Sequence, residues 1–199
     1  SGKHPGKINI TDADSALNIL RYLTDQPATV IIKHNNPCGV AIAETLAESY
    51  SRAYFADRIA AFGGAVAVNR ELDLETAELI AASYSEVVVA PVFAPGTLDR
   101  LGERKNLRIM RIANMEQLQR YRGQNVIELK ALIDGGMIVQ WSQVPQLQRP
   151  DGFTVARVER RGEVHEITRQ PVDAELRDMY FGWMVEFGVT SNSVIYVKD

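Results

Sequence analysis

Short runs of apolar, often β-branched residues constrain the fold of this chain more than any other feature. Runs of this length and composition predict buried strands. They alternate with segments whose apolar residues recur every three or four positions, which is typical of amphipathic helices. This alternation predicts an α/β fold in which a layered sheet is flanked by helices. The predicted strands are Ala28–Ile32, Ala65–Val68, Glu86–Pro91 and Leu107–Ile112.

Side chains that can cap helices mark where the helical segments begin. We expect Thr11 or Asp12 to cap the first helix, and Asp73 and Asp173 to cap two later ones. The apolar residues of the last helix, which include Met179 and Trp183, are expected in the core. The predicted helices span residues 13–24, 44–56, 74–83, 97–104 and 174–187.

The chain divides into three segments of different character. Residues 1–113 carry the α/β pattern, whereas residues 114–170 alternate short strand candidates with polar turns, which predicts an antiparallel elaboration. Arginines and glutamates interleaved over residues 157–169 predict a solvated, salt-bridged face. Residues 171–199 hold the last helix and a buried strand, Val194–Lys198. A strand with no element after it indicates a truncated domain.

The strand Ala28–Ile32 leads directly into the candidate site. It is followed by Lys33 and His34, and then by N-N-P-C-G, which we expect to form a loop because proline lacks an N–H. Polar loops at the carboxyl ends of strands in open α/β sheets bind ligands. Histidine can transfer a proton near neutral pH, and lysine supplies positive charge for a phosphate, a carboxylate or an oxyanion. Lys33 and His34 are therefore the candidate catalytic pair, expected to face a cavity.

A pair of glycines precedes the second predicted strand. Gly63 and Gly64 form either a tight turn or a place where a ligand approaches the backbone closely. The residues alone leave both readings open.

Composition excludes several classes of partner. The net charge of −3 favours neither nucleic acid nor a polyanionic surface. No apolar run approaches the roughly 20 residues that span a bilayer, so no membrane partner is expected. The single cysteine excludes an internal disulfide and fits the reducing cytoplasm.

Zinc chemistry is the first alternative for this site. His34 and Cys38 have a spacing that resembles that of zinc deaminases, but such sites need further imidazole or thiolate ligands and a second cysteine. We therefore expect no zinc. Cys38 is also a poor candidate nucleophile, because it lies between a proline and a glycine that shape the backbone. Neither a Walker-type loop nor a G-x-G-x-x-G motif occurs.

Five segments occur in a fixed order along the chain: KHNNPCGVA, SRAYFADRIAAFGGAVAVNRELD, SEVVVAP, DGGMIVQ and SNSVIYVKD. Together they resemble the aminoimidazole carboxamide ribotide (AICAR) transformylase family, whose bifunctional members also carry IMP cyclohydrolase activity. The resemblance runs from Gly2 to Asp199. It implies that residues 1–199 are the first of two cytidine-deaminase-like units, with the cyclohydrolase domain and the second unit absent from this sequence.

The resemblance also implies a reaction, the transfer of a formyl group from 10-formyltetrahydrofolate to the 5-amino group of AICAR. His34 would carry the proton of the attacking amine, and Lys33 would stabilise the developing charge. Gly63 and Glu86 would lie against the ribotide, and Asn192 would be a third catalytic residue that forms a hydrogen bond near the reacting centre.

Further implications concern partners and cofactors. The resemblance implies a homodimer with the site where two subunits meet, a monovalent cation near Ser191 and Ser193, and a folate pocket supplied mostly by the second unit. The chain alone would then be incompetent for turnover, because nothing would orient the formyl donor. The lead-in Ser1–Ile10 departs from the family pattern. The competing interpretation is a non-catalytic ribotide-binding or assembly module derived from the same domain.

Overall fold

The computed structural model describes residues 3–198, which form two compact units. The first unit contains residues 3–122 and 188–191, and the second contains residues 123–187 and 192–198. The predictions that involve Ser1, Gly2 and Asp199 lie outside the described residues. Within residues 3–198, the helices lack the combination of length and apolar character that a membrane crossing requires.

A mixed five-stranded sheet forms the centre of the first unit. Its strands are β1 (Ala28–Lys33), β2 (Asn36–Ile42), β3 (Gly64–Val68), β4 (Ser85–Ala90) and β5 (Arg108–Arg111). The order is β2-β1-β3-β4-β5. Strand β1 is antiparallel to both of its neighbours, whereas β3, β4 and β5 are parallel. Parallel strands are usually covered on both faces, which explains the continuous valine run of β4.

Helices cover both faces of this sheet, as the α/β prediction requires. Helix α1 (Lys7–Leu20) contacts β1, β3 and β4, and buries Ala13, Ala16, Ile19 and Leu20. Helix α2 (Leu46–Ala56), α3 (Leu74–Ala82) and α4 (Thr97–Gly102) pack together over the other face, in one core cluster. Each fully buried valine of the sheet contributes about 1.5–3 kcal/mol relative to an exposed one.

Side-chain hydrogen bonds mark the first residues of helices α3 and α1. The Asp73 carboxylate accepts from Thr76 N at 2.7 Å, which confirms the predicted cap of α3. The prediction for the first helix is wrong, because α1 begins at Lys7 and contains both Thr11 and Asp12. The earlier start is stabilised by Asn9, whose side-chain oxygen accepts from Gly6 N at 3.0 Å.

The segment after β1 is a strand and not the predicted loop. Pro37 pairs with Ile32 and Gly39 pairs with Ile31, so Cys38 is the extra residue of a β-bulge. Strand β2 lies at the edge of the sheet, and edge strands and bulges are the places where a sheet tolerates proline. The predicted loop is therefore wrong, because the prediction considered only the proline and not the place of this segment at the edge of the sheet.

The second unit carries the predicted antiparallel elaboration. One hairpin joins β6 (Ile127–Ala131) to β7 (Met137–Trp141), and another joins β8 (Arg157–Arg160) to β9 (Glu163–Glu166). The first hairpin exposes one apolar face, formed by Ile127, Leu129, Met137, Val139 and Trp141. In the second hairpin Arg157 and Glu166 form an exposed ion pair at 3.6 Å, in agreement with the predicted salt-bridged face.

Three predictions for the end of the chain are wrong. Helix α5 (Asp173–Glu186) starts at Asp173 itself, and Glu175 rather than Asp173 bonds the backbone N–H of Val172. On this helix Met184, also expected in the core, is buried, but Met179 and Trp183 are 43% and 40% exposed and are not core residues. Residues 194–198 form no strand, because a strand requires a backbone partner and none pairs with them among residues 3–198.

Candidate functional site

Four of the predicted site residues, Lys33, His34, Gly63 and Glu86, lie at one end of the central sheet. Because β1 runs antiparallel to β3, the end of β1 lies beside the start of β3, with Ile32 paired to Ala65. Gly64 in turn pairs with Ser85, which places Glu86 at the same end. This is the carboxyl end of β1 but the amino end of β3 and β4. The site thus lies at the end opposite to the one where ligands bind in all-parallel sheets.

Lys33 is held by backbone oxygens at this end. Its ammonium donates to the carbonyl of Phe62 at 2.8 Å and to that of Gly63 at 3.1 Å. Within residues 3–198, no carboxylate forms an ion pair with Lys33. The positive charge is therefore held in place and remains available to an anionic ligand.

Replacing Gly63 with alanine tests this arrangement. Gly63 has φ +70°, and an added Cβ would lie 2.9 Å from Lys33 Nζ. We expect a loss of about 1–2 kcal/mol in the free energy of unfolding from the left-handed backbone alone. Displacement of the ammonium should add to this loss. Denaturant titration measures the total loss.

Gly123 supplies the matched control. Its φ is +67°, but nothing lies within 4 Å of an added Cβ. Gly123→Ala should show only the loss of stability that comes from the left-handed backbone. Equal losses of stability in the two variants would contradict a stabilising arrangement of Gly63 and Lys33.

His34 occupies a strained turn between β1 and β2. Lys33 pairs with Asn36, and the two residues between them, His34 and Asn35, have φ of +53° and +61°. Positive φ at both central residues identifies a type I′ hairpin turn. A residue other than glycine costs about 1–2 kcal/mol in this conformation, although asparagine and histidine tolerate it better than most. The turn leaves His34 exposed, directly after Lys33 in the chain.

Two polar residues of α1 reach this end of the sheet, and sequence analysis missed both as site residues. Asp12, although buried, accepts from Asn35 N at 2.8 Å, and Asn9 donates to the Glu86 carboxylate at 3.4 Å. Glu86 also lies 3.9 Å from Arg108 Nη1. A signal was present, because Asn9 and Asp12 share the helical face of the buried Ala13 and Ala16. Polar residues on a buried helical face require partners.

Cys38 has the properties of a structural thiol. Burial, with a smaller contribution from the negative charge of Asp57, raises the pKa of its thiol to about 11. The thiol donates to the carbonyl of Ile31 at 3.5 Å. At neutral pH it is therefore protonated, which disfavours a nucleophilic role. Over residues 3–198, the structure contains no group of three or more His, Cys, Asp or Glu residues arranged to hold a metal ion.

The remaining predicted residues are divided between the units. Ser191 belongs to the first unit, where the neighbouring Thr190 N donates to the Asn36 side chain at 2.8 Å. Asn192 and Ser193 belong to the second unit, where the Ser193 hydroxyl bonds the Glu186 carboxylate. Their catalytic and cation-binding roles stay predictions.

A cavity of about 590 Å³ lies within the second unit, lined by residues of α5 together with Phe153, Arg169, Pro171, Ile195 and Val197. None of the predicted site residues lines it. The candidate site is therefore the open end of the sheet at Lys33 and His34, not this cavity.

Comparison with known proteins agrees with the resemblance found in the sequence. The model of the AICARFT/IMPCHase bienzyme family matches residues 1–199. The bifunctional purine biosynthesis protein PurH of Caldicellulosiruptor saccharolyticus is 35% identical over 198 residues, which cover 100% of this chain and 35% of that protein. PurH of Staphylococcus saprophyticus is 39% identical, over 98% of this chain and 36% of that protein.

These relatives are about three times as long as the chain, which spans 35% of the Caldicellulosiruptor protein. The match nevertheless covers all 199 residues, including the turn, the paired glycines and Glu86. The chain therefore belongs to the AICARFT/IMPCHase bienzyme family.

Proposed function

We propose that this chain supplies the Lys33–His34 pair and part of the ribotide site for formyl transfer from 10-formyltetrahydrofolate to AICAR in purine biosynthesis. Family membership supports the reaction class, and the relatives are named as bifunctional purine biosynthesis proteins. The observation that carries the proposal is the Lys33 ammonium, which two carbonyls hold at the rim of the sheet and which an exposed histidine follows directly in the chain.

The proposed chemistry divides the work between these two side chains. The 5-amino nitrogen of AICAR forms a bond to the formyl carbon, and the bond from that carbon to N10 of the folate breaks. The amine loses a proton, which His34 accepts, and N10 gains one. Lys33 stabilises negative charge on the formyl oxygen as it develops. Because its ammonium is already held by Phe62 and Gly63, it needs little reorganisation to do so.

Other residues have supporting roles in this proposal. Gly63 and Glu86 lie at the same end of the sheet and would contact the ribotide. Asn192 would form a hydrogen bond near the reacting centre, and Ser191 and Ser193 would lie near a monovalent cation.

We further propose that the protein acts in the cytoplasm as a homodimer. The exposed apolar face of the β6–β7 hairpin supports self-association, since such faces commonly mark interaction sites.

Calorimetry with AICAR tests the ribotide site directly on this chain. We expect binding at millimolar or lower ligand concentrations, weakened about tenfold in Lys33→Met because a charge-assisted contact is lost. Lys130→Met is the matched control, since Lys130 is an exposed lysine on β6 in the second unit. No binding at millimolar AICAR, or equal weakening in both variants, would argue against the site.

Turnover by the complete gene product separates the catalytic proposal from its alternative. Formyl transfer that depends on His34 supports the enzyme. Ribotide binding without any formyl transfer would instead identify a non-catalytic binding or assembly module.

A further inference from the structure

We infer that Asp12 is a positioning residue, which holds the His34–Asn35 turn in its left-handed conformation and thereby directs the His34 imidazole. This inference rests on the proposed function, because it assigns Asp12 a role in the reaction of Lys33 and His34. It begins from the unusual geometry of the turn. Two consecutive residues other than glycine have positive φ there, and neither has the conformational freedom that glycine would supply.

Hydrogen bonds reach the turn from two sides. The Asp12 carboxylate accepts from Asn35 N at 2.8 Å, and the Asn36 side chain donates to the His34 carbonyl at 3.1 Å. The Asp12 bond joins the turn to a different element, helix α1. A type I′ turn leaves the N–H of its second central residue unpaired within the hairpin, so an external acceptor stabilises this conformation directly.

Burial makes Asp12 a rigid support. Its residue is 7% exposed, and α1 is fixed on the sheet by Ala16, Ile19 and Leu20, which are fully buried. Carboxylates are rarely buried unless they are hydrogen-bonded, so the contact to Asn35 N has a clear physical role. The carboxylate therefore fixes the turn in position relative to helix α1.

Loss of the hydrogen bond between Asp12 and Asn35 should affect the position of His34 more than that of Lys33. The Lys33 ammonium is held independently by the carbonyls of Phe62 and Gly63. Loss of the Asp12 contact would let residues 34 and 35 relax while Lys33 stays in place. The imidazole would then point in a new direction relative to the ammonium, and proton transfer depends strongly on such geometry.

The test combines Asp12→Ala with Asn35→Gly. We expect Asp12→Ala to lower kcat for formyl transfer by the complete gene product about 10- to 100-fold, with the KM for AICAR changed by no more than about threefold. Glycine adopts positive φ without strain, so Asn35→Gly in the same background should restore kcat to within about threefold of Asn35→Gly alone. Asp14→Ala, an exposed change on the same helix, should leave kcat unchanged.

A second measurement uses the 199-residue chain and no activity. The Asn35 amide should be protected from hydrogen exchange in the parent chain and in Asp14→Ala, and should exchange faster in Asp12→Ala. If Asp12→Ala does not fold, Asp12→Leu replaces it in both measurements, because leucine is close to aspartate in size and has no hydrogen-bond acceptor. Asp12→Asn, which keeps an oxygen acceptor, should lose less activity than the variant without one.

The outcomes separate this inference from the proposed function. An unchanged kcat in Asp12→Ala, or a loss that Asn35→Gly does not restore, would overturn the positioning role. If instead His34→Asn retains full turnover, the catalytic proposal itself is wrong. Asn35 exchange that does not respond to Asp12 would overturn the inference whatever the activity shows.

Discussion

If His34 carries the proton as proposed, replacing it with asparagine in the complete gene product should lower kcat for formyl transfer by about 10²–10⁴-fold, the usual contribution of a general acid–base side chain. The affinity for AICAR should change by no more than about threefold, since the side chain would act mainly in the transition state. Asparagine is chosen because it tolerates the left-handed conformation that residue 34 adopts, at φ +53°. The substitution thus removes the imidazole while preserving the turn.

Two comparisons make this result interpretable. His165→Ala removes an exposed imidazole from the β8–β9 hairpin and should leave turnover unchanged. His34→Ala adds backbone strain to the loss of the ring, so its kcat should be no higher than that of His34→Asn. Turnover of His34→Asn within threefold of the parent protein would exclude His34 as the proton carrier.

The largest expected effect on stability comes from Gly39→Ala. Gly39 is buried in β2, and an added Cβ would lie 1.9 Å from the carbonyl oxygen of Ala53 and 2.8 Å from its carbon. These atoms belong to the backbone of α2, whose Ala53 is fully buried, so they cannot move aside as a flexible side chain could. We expect the free energy of unfolding to fall by about 3 kcal/mol or more.

Denaturant titration measures this loss, and Gly102→Ala is the control. Gly102 ends α4, is exposed, and has nothing within 4 Å of an added Cβ. Alanine favours the helix by up to about 1 kcal/mol over glycine, so Gly102→Ala should be neutral or slightly stabilising. A loss below about 0.5 kcal/mol in Gly39→Ala, the range of surface changes, would show that α2 and β2 separate easily.

The sequence predicted those elements whose formation depends on residues within a single short segment. Strand β4 could be predicted because a strand buried on both faces has a continuous apolar run. The cap of α3 could be predicted because aspartate is a common hydrogen-bond acceptor at the start of a helix. Lys33 and His34 were identified for the same reason, since they directly follow an apolar strand.

Features that depend on distant partners could not be predicted in this way. Residues 194–198 have the composition of a strand, yet pairing is a property of two segments and not of one. Conversely, residues 36–42 contain a proline and a glycine but form β2, because a strand at the sheet edge can do without the N–H that proline lacks. In both cases the pairing, not the composition, decided the structure.

The amino-acid sequence by itself determined the α/β class, the candidate pair Lys33 and His34, and the family, since these follow from patterns contained within short segments. Only the tertiary structure brought the Phe62 and Gly63 carbonyls to the Lys33 ammonium and the Asp12 carboxylate to Asn35. The physical reason is the antiparallel pairing of β1 with β3 and the packing of α1 on the sheet, which join residues far apart in the chain.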